Sequence, residues 1–285
     1  MHYLPGQAQY VAGARTTLAD YQPHHIGFAV EKGVATVRLL AGGGGKNPVS
    51  FEVYAELRDL FREMRYADDI KAIVLTGEGD NFCAGSDGRE MIGVLTKLDM
   101  PSLLEFARMA GDVVLAMRAC PQPVVAAIDG MCTGAGAMLA LAADIRFGTA
   151  RSKISFMLVR LGLSSCSMGT CNLLPRIIGH GRASELLLTG RNVSGTEAEQ
   201  WGLYNRLSIP EAILSDAQIF AQELAHGPTF AHGMTKRMLQ QEWNMGLAES
   251  LEAEAQAQAI CMATNDFHRA WHAWVARTNP VFEGD

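Results

Sequence analysis

Through most of the chain, apolar residues fall in short runs broken by glycine and polar turns; beyond residue 210 they fall at helical spacing. Residues 26–31 and 34–40 flank Lys32-Gly33, the pattern of a two-residue hairpin. Ser50 is placed to cap a helix reaching about residue 66, with Phe51, Tyr54, Leu57, Phe61 and Met64 on one face. Residues 70–75 predict a buried strand, 102–118 a helix, and 124–128 a second buried strand. The pattern then shortens through 145–149, 153–156 and 159–163. Helices are expected up to Ile178, over 181–189, and over 196–202 with Thr196 as cap, followed by a last strand over 204–209. Residues 211–226, 229–243, 247–263 and 267–277 all read as helices. Strands alternating with helices argue for an α/β core over 24–210, preceded by an extension over 1–23 and followed by a helical region over 211–285. Trp271 and Trp274, three residues apart on one helix face, are expected to dock against another surface.

The stretch that organises the chain runs from Pro123 to Ile145. A β-branched apolar run passes through Gly130, Gly134 and Gly136 into a segment of alanine and leucine, which reads as a buried strand, a turn and a buried helix. Gly134-Ala135-Gly136 offers backbone N–H groups at a helix start with no bulky side chain in the way. That suits an anion, or a carbonyl oxygen becoming one, as well as a tight turn that only packs. A dinucleotide pattern is incomplete, because Leu139 stands where its third glycine belongs. Residues 81–87, with Ala84, Gly85 and Ser86, form a second small-residue turn at a strand end; Asp87 there suits capping better than catalysis. Four consecutive glycines, 42–45, mark either a flexible surface loop or a close backbone approach to a ligand.

Composition narrows the class. The chain has 285 residues, 48% of them hydrophobic, with a formal net charge of -6, which leaves no basic footprint for nucleic acid or an anionic membrane. No apolar run approaches the roughly 20 residues that span a bilayer. No secretory signal is visible, and the six cysteines, without a CxxC pair, read as reduced thiols, so the expected location is cytoplasmic. His24 and His25 stand together without a further ligand cluster and read as a surface pair.

Several motifs, in order, carry a resemblance. Residues 73–77 (Ile-Val-Leu-Thr-Gly), Phe82-Cys83-Ala84-Gly85-Ser86-Asp87 and the 123–145 stretch come first. Arg160-Leu161-Gly162-Leu163, residues 174–179, Leu187-Leu188-Thr189-Gly190 and Pro280-Val281-Phe282-Glu283-Gly284 follow. Jointly they resemble the enoyl-CoA hydratase/isomerase (crotonase) superfamily from about residue 26 onward. The resemblance implies a spiral of ββα units, a helical C-terminal region that assembles a homo-trimer or hexamer, and an acyl-CoA thioester as ligand. No cofactor is implied beyond the coenzyme A carried by the substrate. It also implies an oxyanion hole from the N–H groups of Ala84 and Ala135, with Cys83, Gly85, Asp87, Gly134, Met138 and Leu158 around the substrate.

One departure bears on the chemistry. Hydratases of the superfamily carry two glutamates, at positions held here by Met138 and Leu158, and neither side chain moves a proton. Dienoyl-CoA isomerases of the superfamily carry an aspartate in the turn before a Gly-Thr pair; allowing one inserted residue, Ser167 stands there, beside Cys166. Serine needs a base to carry a proton, and only Asp87 and Glu90 suggest themselves. The expectation is an acyl-CoA enzyme with an oxyanion hole and replaced proton carriers; a catalytically silent acyl-CoA-binding or assembly protein is the alternative.

Overall fold

The computed structural model describes residues 16–41, 44–86 and 90–285, the side chain of Glu90 excepted. Strands β1 (Ile26–Glu31) and β2 (Val34–Leu39) form the expected antiparallel hairpin. Lys32 and Gly33 both take left-handed conformations, at φ 50° and 79°, the turn whose twist matches its strands. Helix α1 (Phe51–Met64) starts where Ser50 accepts the Val53 N–H. Strand β3 (Ala72–Gly77) begins two residues later than residues 70–75 predict, because the Ile70 carbonyl is instead taken by the Gln122 amide at 3.1 Å. After α2 (Glu90–Leu95), helix α3 (Met100–Ala119) starts ahead of residue 102, since Asp99 caps it through the Ser102 N–H.

The middle of the chain runs β4 (Val124–Ile128), β5 (Met131–Thr133), α4 (Ala135–Ala142), β6 (Ile145–Thr149) and β7 (Lys153–Ser155). A 3₁₀ turn, Met157–Leu161, and helices α5 (Thr170–Ile178) and α6 (His180–Thr189) follow. Then come β8 (Val193–Ser194), α7 (Gly195–Gln200) and β9 (Arg206–Ser208). The cap of α7 is Ser194, which accepts the Glu197 N–H at 3.2 Å, so Thr196 lies inside the first turn. Strand β9 is shorter than 204–209 because Tyr204 is buried in the core, its hydroxyl accepting from Ser152 at 3.2 Å. The tail holds α8 (Ile213–Ala225), α9 (Thr229–Gln241), α10 (Leu247–Met262) and α11 (Asn265–Ala276). No helix among the described residues is long and apolar enough to cross a membrane.

Two sheets carry the architecture. The larger has the order β1-β2-β3-β4-β6-β9, parallel except for β1 with β2; the smaller has the order β5-β7-β8. From β4 onward the chain spirals in ββα fashion, placing β4 and then β6 in the large sheet and β5 and then β7 in the small one. Cys83 adds a single bridge to Cys132 of β5, so the small sheet also touches the segment after β3. The strands alternate between two cores. Ile73, Leu75, Val124, Ala126 and Ile128 face the α1/α3/α4 side, while Val74, Val125 and Ala127 face α8, whose Ile213, Ala217, Ala221 and Ala225 cover them. A sheet buried on both faces accounts for strands that read as unbroken apolar runs.

The helix that opens residues 211–285 therefore shares a core with residues 24–210. Lys236 on α9 ties the next helix down: its Nζ lies 2.8 Å from the Asp144 carboxylate and donates to the carbonyls of Met117 and Gln122 at 3.1 and 2.9 Å. Lys236 is 7% exposed. Lys236→Met keeps the chain length but leaves the carboxylate without its cation and two carbonyls without a donor. A loss of about 3 kcal/mol is expected, the usual cost of removing one partner of a buried pair, measured by urea denaturation.

Candidate active site

The two glycine turns singled out in the sequence meet backbone to backbone. Cys83 donates its N–H to Met131 at 2.9 Å and accepts the Thr133 N–H at 2.9 Å, while the Thr133 hydroxyl donates to the Ala84 carbonyl at 2.7 Å. Gly136 fits under Cys83: a Cβ there would lie 2.6 Å from both the Cys83 Cβ and its carbonyl oxygen. Gly85, at φ 99°, fits against the second turn, where a Cβ would meet the Thr133 carbonyl at 3.0 Å and the Gly134 Cα at 3.7 Å. Side chains are excluded from this seam by contact distance alone.

Accounting for the N–H groups along the seam shows which remain open. In the first turn Cys83 donates to Met131, Ala84 to the Lys46 carbonyl at 2.8 Å, and Gly85 to the Cys83 sulfur at 3.3 Å. The Ala84 N–H, expected to face a ligand, is thus spent on the Lys46 carbonyl in this structure. Val49 donates to the Gly85 carbonyl at 2.9 Å, within a parallel bridge centred on Ser86. Such a bridge uses the groups flanking its central residue, so the Ser86 N–H points away from Val49, and it has no acceptor among the described residues. In the second turn Thr133 donates to Cys83 and Gly134 to Ser155 at 2.9 Å. Ala135, first residue of α4 and 4% exposed, keeps its N–H without an acceptor among the described residues.

Cys83 is fully buried, and burial pushes its thiol up to about 12. It stays a neutral sulfur that accepts the Gly85 N–H at 3.3 Å. Its part in the site is to clear the neighbouring donors and hold the turns in register.

The remaining candidates fall around α4 and after β7. Met138, 1% exposed, sits three residues beyond Ala135 on α4 and so on the same side of the helix. Leu158 is half-buried in the 3₁₀ turn, three residues after Ser155, whose carbonyl holds the Gly134 N–H. Ser167 and Cys166 lie in the turn that ends at the left-handed Met168 and Gly169, before α5. The Ser167 backbone is held by Ser165 and Thr170, while no base is bonded to its hydroxyl among the described residues. Cys166 is exposed, with its sulfur 3.0 Å from that of Cys171. Asp87 lies outside the described residues, as does the side chain of Glu90. His24 and His25 are exposed, their backbone N–H groups donating to Glu56 at 2.7 and 2.6 Å. Ser86 and Cys171 were not singled out in the sequence; the only signal for Ser86 is that it follows the glycine that enters the seam.

Known proteins share this arrangement of elements. The enoyl-CoA hydratase/isomerase family model matches residues 30–285. A "probable enoyl-CoA hydratase" of Mycobacterium tuberculosis is 33% identical over 98% of each chain. The 1,2-epoxyphenylacetyl-CoA isomerase of Escherichia coli is 32% identical, covering 90% of this chain and 97% of its own. The crystal structure of a "putative enoyl-CoA hydratase" from Streptomyces coelicolor superposes with a TM-score of 0.91 at 40% identity, over 98% of this chain and all of that one. With the family model and these relatives spanning nearly its whole length, the chain belongs to the enoyl-CoA hydratase/isomerase family.

Proposed function

We propose that this protein acts on an acyl-CoA thioester whose carbonyl oxygen is held by the N–H groups of Ser86 and Ala135. The observation that carries the reading is that the Ser86 and Ala135 N–H groups, one from each of the two turns that touch, have no acceptor among the described residues, while those of Cys83, Ala84, Gly85, Thr133 and Gly134 are spent. When a proton leaves the α-carbon, the thioester oxygen gains negative charge, and two fixed donors stabilise that charge more than they stabilise the neutral carbonyl. Family membership supports the thioester; the distribution of hydrogen bonds supports Ser86 in the place first given to Ala84.

The polar groups that would move protons in a hydratase are absent from the two positions the resemblance assigns to them. Met138 and Leu158 make that side of the site apolar. Hydration needs a base for water and an acid for the α-carbon, so the proposed chemistry is enolate formation followed by isomerisation, cleavage or addition on a specialised acyl group. The proton would be carried by Ser167, Cys166 or the segment around Asp87.

Thermal stabilisation tests the binding. An acyl-CoA is expected to raise the melting temperature, and the thioether analogue, which lacks the carbonyl oxygen, to raise it less; the free acid should do least. Equal shifts with thioester and thioether would remove the oxyanion role. Binding without turnover across a broad acyl-CoA panel would favour the silent alternative.

Hydration tests the replaced pair. General acid–base groups contribute about 10²- to 10⁴-fold each, so the native protein should hydrate crotonyl-CoA at a trace rate only. Met138→Glu with Leu158→Glu is expected to raise that rate, provided circular dichroism shows the variant folded. A carboxyl at the buried Met138 position will have a raised pKa and cost stability. Fast crotonyl-CoA hydration by the native protein would place the acid and base elsewhere.

Assembly is part of the proposal. On α11, Trp271 and Trp274 stack at 5.3 Å between ring centroids yet stay 53% and 72% exposed. Leu247 and Leu251 on α10 are exposed as well. Such apolar surface fits a contact with further copies of the chain. Light scattering at micromolar concentration should return three or six times the chain mass, and Trp274→Glu should lower it; a monomeric native mass would reject the assembly.

A further inference from the structure

We infer that Cys166 and Cys171 form a dithiol site that a peroxide oxidises to an intramolecular disulfide. Their sulfurs are 3.0 Å apart, and a disulfide needs about 2.05 Å, so closure asks for a movement of about 1 Å. Both side chains are exposed, whereas Cys83, Cys120 and Cys132 are buried and Cys261 is only partly accessible. Cys166 sits in the turn leading into α5, and Cys171 is the second residue of that helix.

The two thiols differ. Hydrogen bonds from the Ser164 hydroxyl and from Cys171 hold the Cys166 thiol below its ordinary value, while its bond to Cys166 and partial burial raise Cys171. Burial pushes Cys83 up to about 12 and Cys120 up to about 11, which keeps both as unreactive thiols. Cys166 is thus the attacking sulfur and Cys171 the resolving one.

The chemistry balances with one peroxide. The Cys166 thiolate attacks a peroxide oxygen; an S–O bond forms, the O–O bond breaks, and the released hydroxide takes a proton to become water. The Cys171 sulfur, giving up its proton, then attacks the sulfenic sulfur; the S–S bond forms, the S–O bond breaks, and a second water leaves. Two thiols are oxidised and one peroxide is reduced. The bridge ties the turn holding Ser167 to the first turn of α5. Its formation requires no acyl-CoA turnover, so it stands or falls separately from the proposed function.

Both cysteines fall in one tryptic peptide, between the cleavage sites at Arg160 and Arg176. Reduced, folded protein is treated with equimolar hydrogen peroxide, blocked with iodoacetamide, digested and weighed. The expected peptide has lost two hydrogens, carries no alkyl group, and accepts two after dithiothreitol. Cys171→Ser should accumulate a sulfenic acid on Cys166 that dimedone traps, and Cys166→Ser should give none on Cys171. Cys83, Cys120 and Cys132 should resist alkylation until the protein is denatured, which reports an intact fold. Two alkyl groups on the peptide after peroxide, a link to Cys261 or to another chain, or sulfonic acid at Cys166 without a bridge would each overturn the inference.

Discussion

The contact of Gly136 with Cys83 is the constraint on which the site rests. With a would-be Cβ only 2.6 Å from the Cys83 backbone oxygen, the start of α4 and the segment after β3 come closer than any side chain allows. Overpacking such a seam typically costs about 1–3 kcal/mol, so the approach is specified and not incidental. The contact sits beside the Cys83–Cys132 bridge that joins the two sheets, and the Cys83 sulfur takes the Gly85 N–H. What remains follows from the accounting: a buried N–H without a partner typically costs about 1–3 kcal/mol, and the Ala135 N–H, nearly buried, bears such a cost until an oxygen meets it. A fold that keeps this group open holds a preorganised donor.

How much of this was legible in the sequence depended on the range of the physics. Strands β3 and β4 were readable because burial on both faces leaves an unbroken apolar run, and the hairpin because Lys32-Gly33 fits its turn without outside help. Strand β5 was not: three residues between two glycine turns have no period, and its existence depends on pairing with β7. The cap of α7 slipped by two residues because Ser194 and Thr196 are equivalent by composition, and only the chain path chooses between them. The partner of the Ala84 N–H is hidden from the sequence for a related reason. This N–H is claimed by Lys46, from the other side of α1, and no local reading of 81–87 shows that approach.

The helices after residue 210, alike in sequence, differ in what they cover. Helix α8 fills the second face of the large sheet with small residues, Ala217, Ala221 and Ala225, that let it lie close. Helix α9 is pinned by Lys236 and by Gln240, whose amide donates to the Arg118 carbonyl at 2.7 Å. At the far end the chain folds back on α11: Asp266, 3% exposed, accepts the N–H groups of Glu283 and Gly284 at 2.8 and 2.9 Å. Fixing the tail in this way leaves the Trp271–Trp274 face outward, held on a braced helix. A rigid aromatic face loses little conformational entropy on contact, which is what an assembly surface requires.

The same economy bears on the proposed chemistry. With Met138 and Leu158 at the positions where the resemblance implies two carboxyl groups, neither of these side chains brings charge to the two donors. Hydrogen bonds to a developing oxyanion gain strength as the surroundings become less polar, so Ser86 and Ala135 would act on the thioester oxygen more strongly here than beside two glutamates. A site of this kind favours steps in which the enolate is the hard part and water is unwanted. On the proposed reading the proton comes from a group at the rim, and the turn with Cys166 and Ser167 offers polar side chains for it.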